Sequence, residues 1–147
     1  MSDRINKLYP EAIKSHNERP YHFGKQEGMP SLKAYNPICG DKFELYVKAQ
    51  ETKVGEIHFH GFGCAISKAS TSVLAKALEG KTFKEACALC DNFLKVISNE
   101  TATGDSVLND EFKIFAAIHE FPERRECASL AWIEMRKYLE SKIEKSR

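Results

Sequence analysis

The feature that most limits how this chain can fold is a change of hydrophobic period in its first half. From Lys42 to Gln50 apolar and polar residues alternate, with Phe43, Leu45 and Val47 against Lys42, Glu44 and Lys48, and with Tyr46 on the polar side. Val54 to His60 alternates again, Ile57 and Phe59 facing one way and Glu56, His58 and His60 the other. A period of two is that of a strand with one buried face. Glu51-Thr52-Lys53 supplies a turn between the two, and Ser31 to Tyr35 a first strand that completes an antiparallel meander. After Cys64 the period becomes helical: Ile66, Ala69, Val73, Leu74, Ala77 and Leu78 share a face, and Gly80 marks the stop. Thr82-Phe83-Lys84-Glu85 is a capping box that opens a second helix with Phe83, Ala86, Cys87, Cys90, Phe93, Leu94 and Ile97 on its apolar face. Pro122 helps to start a last helix, running to about Glu144, whose stripe is Ala128, Ala131, Trp132, Met135 and Leu139. Strands grouped early and helices grouped late predict an α+β fold, a small three-stranded antiparallel sheet packed on one face by a cluster of helices.

The remaining stretches are less regular. Residues 3–17 carry a helical pattern (Ile5, Leu8, Ala12, Ile13) that Pro10 either kinks or begins. Residues 17–20 and 24–30 read as exposed connections, and Asn99 to Asp110 as a polar loop. Leu108, Phe112, Phe115 and His119 suggest a short helix before Phe121-Pro122. No repeat or linker divides residues 1–147, so one domain is expected.

Composition narrows the function classes. The 22 Lys+Arg nearly cancel 21 Asp+Glu, so no global field argues for nucleic acid or an anionic membrane as partner. No apolar run approaches the roughly 18 residues that a membrane span needs. Met1-Ser2-Asp3-Arg4 has no apolar stretch behind it and does not read as a secretion signal, so a cytoplasmic location is expected. Five cysteines, an odd number, suit reduced thiols better than a disulfide framework.

Those cysteines sort by context. Cys87 and Cys90 form a C-x-x-C, but both lie on the apolar face of a well-capped helix and no second such pair exists to complete a zinc ribbon. They read as packing residues. Cys39, Cys64 and Cys127 stand instead at a turn or near a helix start. Gly40 lets Cys39 and Asp41 point toward one centre. Cys64 follows Gly-x-Gly and opens a helix, where free N–H groups favour a thiolate. Cys127 lies in the early turns of the last helix. Cys39, Asp41, Cys64 and Cys127 around one metal make a workable tetrahedral set for Zn²⁺, and the same thiolates suit an iron–sulfur cluster. Arg124, one helical turn before Cys127, is the candidate cation for the surplus negative charge. His58 and His60 read as solvent-facing, His119 as an edge or core residue, and His16 and His22 have no supporting pattern; none is a first-choice ligand.

Three motifs carry a family resemblance. Asn36-Pro37-Ile38-Cys39-Gly40-Asp41, Gly61-x-Gly-Cys64-Ala65-Ile66-Ser67-x-Ala69-Ser70 and Phe121-Pro122-x-Arg124-x-x-Cys127-Ala128-x-Leu130-x-Trp132 resemble the signatures of the U-type iron–sulfur cluster assembly proteins. The segment from Leu8-Tyr9 through His16 is also similar, so the resemblance covers nearly the whole chain. The IscU-like scaffolds of that family have a histidine immediately before the third cysteine and a shorter stretch between the second and third. Glu126 and the long Cys64-to-Cys127 stretch resemble the SufU branch instead. Glu123, Arg125 and Glu126 depart from the commoner residues of that segment.

The resemblance implies a zinc protein, with Cys39, Asp41, Cys64 and Cys127 as ligands, that accepts persulfide sulfur from a SufS-like cysteine desulfurase and passes it to downstream iron–sulfur assembly proteins. It acts as a sulfurtransferase-like acceptor rather than a free-standing enzyme. The implied mechanism is zinc-ligand exchange, in which a histidine of the desulfurase takes one coordination position and Cys39 is released as the accepting thiolate. The alternative from the same residues is a scaffold on which a [2Fe–2S] cluster is built. A cysteine-nucleophile hydrolase would need a dedicated histidine base, and none stands with a cysteine in a recognisable arrangement. A purely structural zinc domain would unfold on losing its metal.

Overall fold

The computed structural model describes residues 11–36, 40–98, 115, 118 and 121–145. The chain order is α1 (Glu11–Glu18), β1 (Ser31–Asn36), β2 (Asp41–Gln50), β3 (Lys53–Phe62), α2 (Ala65–Leu78), α3 (Phe83–Ile97) and α4 (Pro122–Lys145). The helical pattern before Glu11, the polar loop from Asn99 and the short helix proposed around Phe112 and His119 lie outside the described residues. Of that last stripe, Phe115 is described and is buried.

The alternating segments form the expected sheet, in the order β1-β2-β3. Both pairings are antiparallel. β1 runs against β2 from Ser31↔Tyr46 to Asn36↔Asp41, and β2 against β3 from Lys42↔Phe62 to Gln50↔Lys53, with an irregularity between Val47 and Ala49. Ala34, Phe43, Leu45, Val47, Ile57 and Phe59 are buried on the inner face, which is what period-two alternation predicts for a sheet covered on one side. The free edge of β3 is covered at both ends. Gly24 N–H donates to the Phe59 carbonyl at 2.7 Å and Phe59 N–H to that of His22 at 3.2 Å. At the other end Gly80 N–H reaches the Val54 carbonyl and Val54 N–H the Lys81 carbonyl, each at 2.8 Å. An edge so occupied no longer offers unpaired groups to another strand.

Two residues of the polar face depart from the simple pattern. Tyr46 is buried, its hydroxyl donating to Glu44 Oε2 at 3.3 Å beside the Ser31 hydroxyl at 3.2 Å from the same oxygen. His58, expected in solvent, is half-buried because it stacks on His22, with ring centroids 4.5 Å apart. His22 in turn stacks on Tyr21 and lies with Nδ1 2.8 Å from Glu79 Oε2. Glu79 also accepts from the Ile57 N–H at 2.8 Å and from the Tyr21 hydroxyl at 2.5 Å, a bond that pushes the Tyr21 pKa up to about 12. This cluster ties the segment after α1 to the end of α2. His60 is exposed, as the alternation predicts.

The helices close over the inner face. α3 opens on the capping box as read: Glu85 N–H donates to Thr82 Oγ1 at 3.1 Å and Thr82 N–H to Glu85 Oε1 at 3.0 Å. Cys90 is fully buried and Cys87 half-buried on the same helix, and burial pushes both thiols up, which keeps them protonated and inert. Trp132 of α4 is fully buried and stacks on Phe93 at 4.0 Å. Its Nε1–H donates to Ser70 Oγ at 2.9 Å, and the Ser70 hydroxyl donates to the Ala128 carbonyl at 2.5 Å. Ser70 therefore joins α2 to α4 beside Cys127. Ser70→Ala is expected to cost about 1–3 kcal/mol, because the buried indole N–H would lose its acceptor. Denaturant unfolding measures this, and a loss below about 0.5 kcal/mol would mean that the indole finds another partner. Among the described residues no helix is long and apolar enough to cross a membrane.

Candidate metal centre

Three separate elements meet at one end of the sheet. Asp41 is the first residue of β2, paired in register with Asn36 across the first hairpin. Cys64 is the N-cap of α2, in extended backbone conformation, and its sulfur accepts the Ser67 N–H at 3.4 Å. Cys127 lies in the second turn of α4 and is 2% exposed. The ligand atoms of Asp41, Cys64 and Cys127 all lie within 4.8 Å of one another, and no other such group occurs among the described residues. Donors of a tetrahedral zinc site with bonds of about 2.3 Å stand about 3.7 Å apart, so the cluster needs only a small contraction to hold one ion.

The polar environment of Asp41 is what separates this cluster from a chance meeting of side chains. Asp41 is 1% exposed; Oδ1 accepts the Cys64 N–H at 3.1 Å, while Oδ2 is buried with no hydrogen-bond partner among the described residues. An unpaired buried carboxylate oxygen costs several kcal/mol of desolvation unless something positive or protic meets it. Beside two thiols, a metal ion is the natural partner. The cradle is also tight. A Cβ at Gly63 would stand 2.6 Å from Asp41 Oδ1, 2.5 Å from Ser67 Oγ and 2.8 Å from the Phe43 ring. The residues present fit a thiophilic metal.

Cys64 is held down to about 5 from its ordinary 9.0. The largest cause is a hydrogen bond from the Cys127 thiol; the Ser67 N–H and hydroxyl add to it, against burial and the Asp41 charge, which raise it. Because the folded value lies below the unfolded one, this group favours folding of the metal-free protein fully above pH 9. That contribution declines as pH falls and is gone below about 5. Metal-free protein is expected to show ultraviolet thiolate absorbance titrating with a midpoint near 5, moving up in Cys127→Ala. A single midpoint near 9 would show that Cys64 is not preset as a thiolate.

Of the four residues read as ligands, the structure brings together Asp41, Cys64 and Cys127; Cys39 lies outside the described residues. Arg124 is half-buried one turn before Cys127, its N–H bonded to the Phe121 carbonyl at 2.8 Å. Glu126 is exposed although Cys127 beside it is buried. Ser67 is a contributor that the sequence reading left without a role. Its position three residues after Cys64 is the N-cap-to-N3 spacing, a signal that was available.

Known proteins similar to this chain in sequence and fold are consistent in kind. The NifU-like N-terminal domain matches residues 8–129. An iron–sulfur cluster assembly scaffold protein IscU from Streptococcus pyogenes is 37% identical over 129 residues, covering 88% of this chain and 80% of that one. The zinc-dependent sulfurtransferase SufU of Bacillus subtilis is 29% identical over 133 residues, 90% of each chain. The crystal structure of a putative iron–sulfur cluster assembly scaffold protein for the SUF system, from Fervidobacterium islandicum, superimposes with a TM-score of 0.82 at 28% identity, covering 91% of this chain and 98% of the other. With the family model matched over residues 8–129 and a relative 37% identical over most of both chains, the chain belongs to the NifU-like N-terminal domain family, among the iron–sulfur cluster assembly proteins.

Proposed function

We propose that this protein is a zinc-dependent sulfur acceptor of iron–sulfur cluster assembly, taking persulfide sulfur from a cysteine desulfurase and handing it to downstream assembly proteins. The observation that carries the reading is the buried Asp41 Oδ2, without a hydrogen-bond partner among the described residues, on a carboxylate grouped with Cys64 and Cys127. Cys39 completes the donor set. It stands two residues before Asp41 in the sequence. Bound there, Zn²⁺ would keep the thiolates ionised, and exchange of one of its ligands would free Cys39.

The chain's own residues account for the rest. Cys39, next to Gly40, is the acceptor: its thiolate attacks the terminal sulfur of the desulfurase persulfide. A bond forms between the Cys39 sulfur and that sulfur, the donor S–S bond breaks, and the desulfurase cysteine leaves as thiolate. Cys64, already ionised, and Cys127 remain as anchors. Asp41 is the hard, most exchangeable donor, and Arg124 offsets part of the negative charge. The description of the Bacillus subtilis relative as a zinc-dependent sulfurtransferase supports this reading, as does Glu126 before Cys127.

The 37% identity to a streptococcal IscU favours a second reading, in which the same residues hold a [2Fe–2S] cluster under assembly. Metal analysis of purified protein separates the two. About one zinc per chain without visible absorbance supports the acceptor, and a coloured iron–sulfide product after anaerobic reconstitution supports the scaffold. In the assay with a desulfurase and labelled cysteine, wild type is expected to stimulate turnover and take up label, and Cys39→Ser to take up none. A Cys39→Ser protein labelled like wild type would remove Cys39 as acceptor, and failure of wild type to stimulate would defeat the acceptor reading altogether.

A further inference from the structure

The outer face of the sheet, turned away from the helices, carries a row of side chains at the end next to the metal centre. Tyr35 of β1 pairs with Lys42 of β2, and Lys42 with Phe62 of β3. Residues paired across neighbouring strands share a face, so all three stand on the side opposite Ala34 and Phe43, which are buried. Tyr35 is 44% exposed and Phe62 65%, while Lys42 between them is exposed and has no ion pair with any described residue. Strands lie about 4.8 Å apart, which sets the backbones under the two rings about 10 Å apart. In the next row of the same face, His60 lies against Phe23, with ring centroids 5.3 Å apart, and Phe23 is itself 38% exposed. Of the four large apolar residues exposed among the described residues, three are therefore gathered here; the fourth, Ile133, is on α4. A single exposed aromatic is ordinary, but such a grouping marks a contact surface.

We infer that the Tyr35–Lys42–Phe62 row is the docking surface for the sulfur-donating protein, which seats on it an acidic segment carrying an apolar side chain. The inference rests on the sulfur-acceptor reading above. Accessibility fixes where a donor must approach. Asp41 and Cys127 are buried, whereas Cys64 is half-buried and Gly63 before it is exposed. The cluster is therefore reached from the Cys64 side, where Phe62 stands two residues before Cys64 and Lys42 directly follows Asp41. The chemistry of the occupant follows from the row itself. An apolar side chain set against the Tyr35 and Phe62 rings is desolvated there, and a carboxylate beside it meets Lys42. In the row behind, Lys33 stands opposite Glu44, whose Oε2 accepts the Ser31 and Tyr46 hydroxyls. A second copy of this face would bring the same lysines and the same engaged carboxylate, so its charge does not complement. The 22 basic and 21 acidic residues nearly cancel, which leaves no field for tracking the phosphates of a nucleic acid.

The test uses the full chain as purified, with its metal, and a purified cysteine desulfurase. The Tyr35→Ala/Phe62→Ala double variant should raise both the Kd from isothermal titration and the concentration giving half-maximal stimulation by at least about tenfold. Lys42→Glu should do about the same, whereas Lys42→Arg, which keeps the charge, should stay within about twofold of wild type. Maximal turnover at saturating protein, metal content and circular dichroism should be unchanged, which separates docking from the transfer step. Ile133→Ala, the exposed apolar residue outside the row, should change nothing. In wild type, desulfurase should slow hydrogen exchange at Tyr35, Lys42 and Phe62, a readout that needs no variant to fold. Wild-type affinity in the double variant, protection confined to α3, a loss of maximal turnover alone, or weakened self-association in place of weakened desulfurase binding would overturn the docking surface and leave the sulfur-acceptor reading standing. Binding through this row with no uptake of sulfur would defeat that reading and leave the docking surface. No binding of wild type at all would overturn both.

Discussion

With the Asp41–Cys64–Cys127 cluster holding zinc as proposed, Gly63→Ala is expected to strip the protein of most of that metal while leaving it folded. The added Cβ would stand 2.5 Å from Ser67 Oγ, 2.6 Å from Asp41 Oδ1 and 2.8 Å from Phe43 Cε2. All three atoms are ends of side chains, so the clash is relieved by moving those side chains rather than the backbone. The fold should lose about 1–3 kcal/mol, the usual cost of overpacking by one methyl group. The site loses more, because two of the three displaced groups set its chemistry. Asp41 Oδ1 accepts the Cys64 N–H, which fixes the carboxylate, and Ser67 helps to hold the Cys64 thiolate. A donor moved by an ångström in a site of fixed geometry typically costs ten- to a hundredfold in metal affinity. Metal per chain after dialysis against a weak chelator should therefore fall at least tenfold, with circular dichroism unchanged. Full retention of metal would mean that Asp41 is not a ligand whose placement matters.

The strands, α2, α3 and the start of α4 were legible because their signals are local. Alternation, the Thr82–Glu85 capping box and Pro122 at the first position of α4 depend on neighbours within a few residues. Cys64 and Cys127 stood out in the sequence as candidate ligands because loop or helix-start cysteines differ from Cys87 and Cys90, which follow a helical stripe into the core, and the fold brings both beside Asp41. The features that the pattern did not reveal all depend on contacts between distant segments. Tyr46 breaks the polar face because Glu44 supplies an acceptor beside it. His58 leaves solvent because the segment after α1 returns to lay His22 on its ring. Ser70 resembles any small helical residue until Trp132 and Ala128, about sixty positions later, arrive on either side of its hydroxyl. The row of Tyr35, Lys42 and Phe62 has the same origin, since each of the three strands supplies one member.

Gly61→Ala, two residues from Gly63, should have the opposite outcome and prevent stable folding. Gly61 pairs with Phe43 in the β2–β3 register and adopts φ +142°, a conformation essentially closed to residues with a Cβ. A Cβ there would lie 2.0 Å from the Lys42 carbonyl oxygen and 2.8 Å from Phe43 Cα. These are backbone atoms of the central strand, so no side-chain rotation relieves the contact. Relief requires β2 and β3 to separate at the point where Phe43 enters the core and Asp41 enters the site. Conformational strain of about 1–3 kcal/mol adds to the loss of strand pairing and of Phe43 packing, for a total above about 4 kcal/mol. Domains of this size are stable by about 5–15 kcal/mol, so the variant should be largely unfolded or melt far below wild type. Added metal should not rescue it, because the cluster assembles only on the intact β2–β3 pair. A Gly61→Ala protein within about 1 kcal/mol of wild type in denaturant unfolding would show that the end of β3 can re-form around a side chain. The Gly-x-Gly before Cys64 would then serve the metal centre alone, through Gly63, and the sheet not at all.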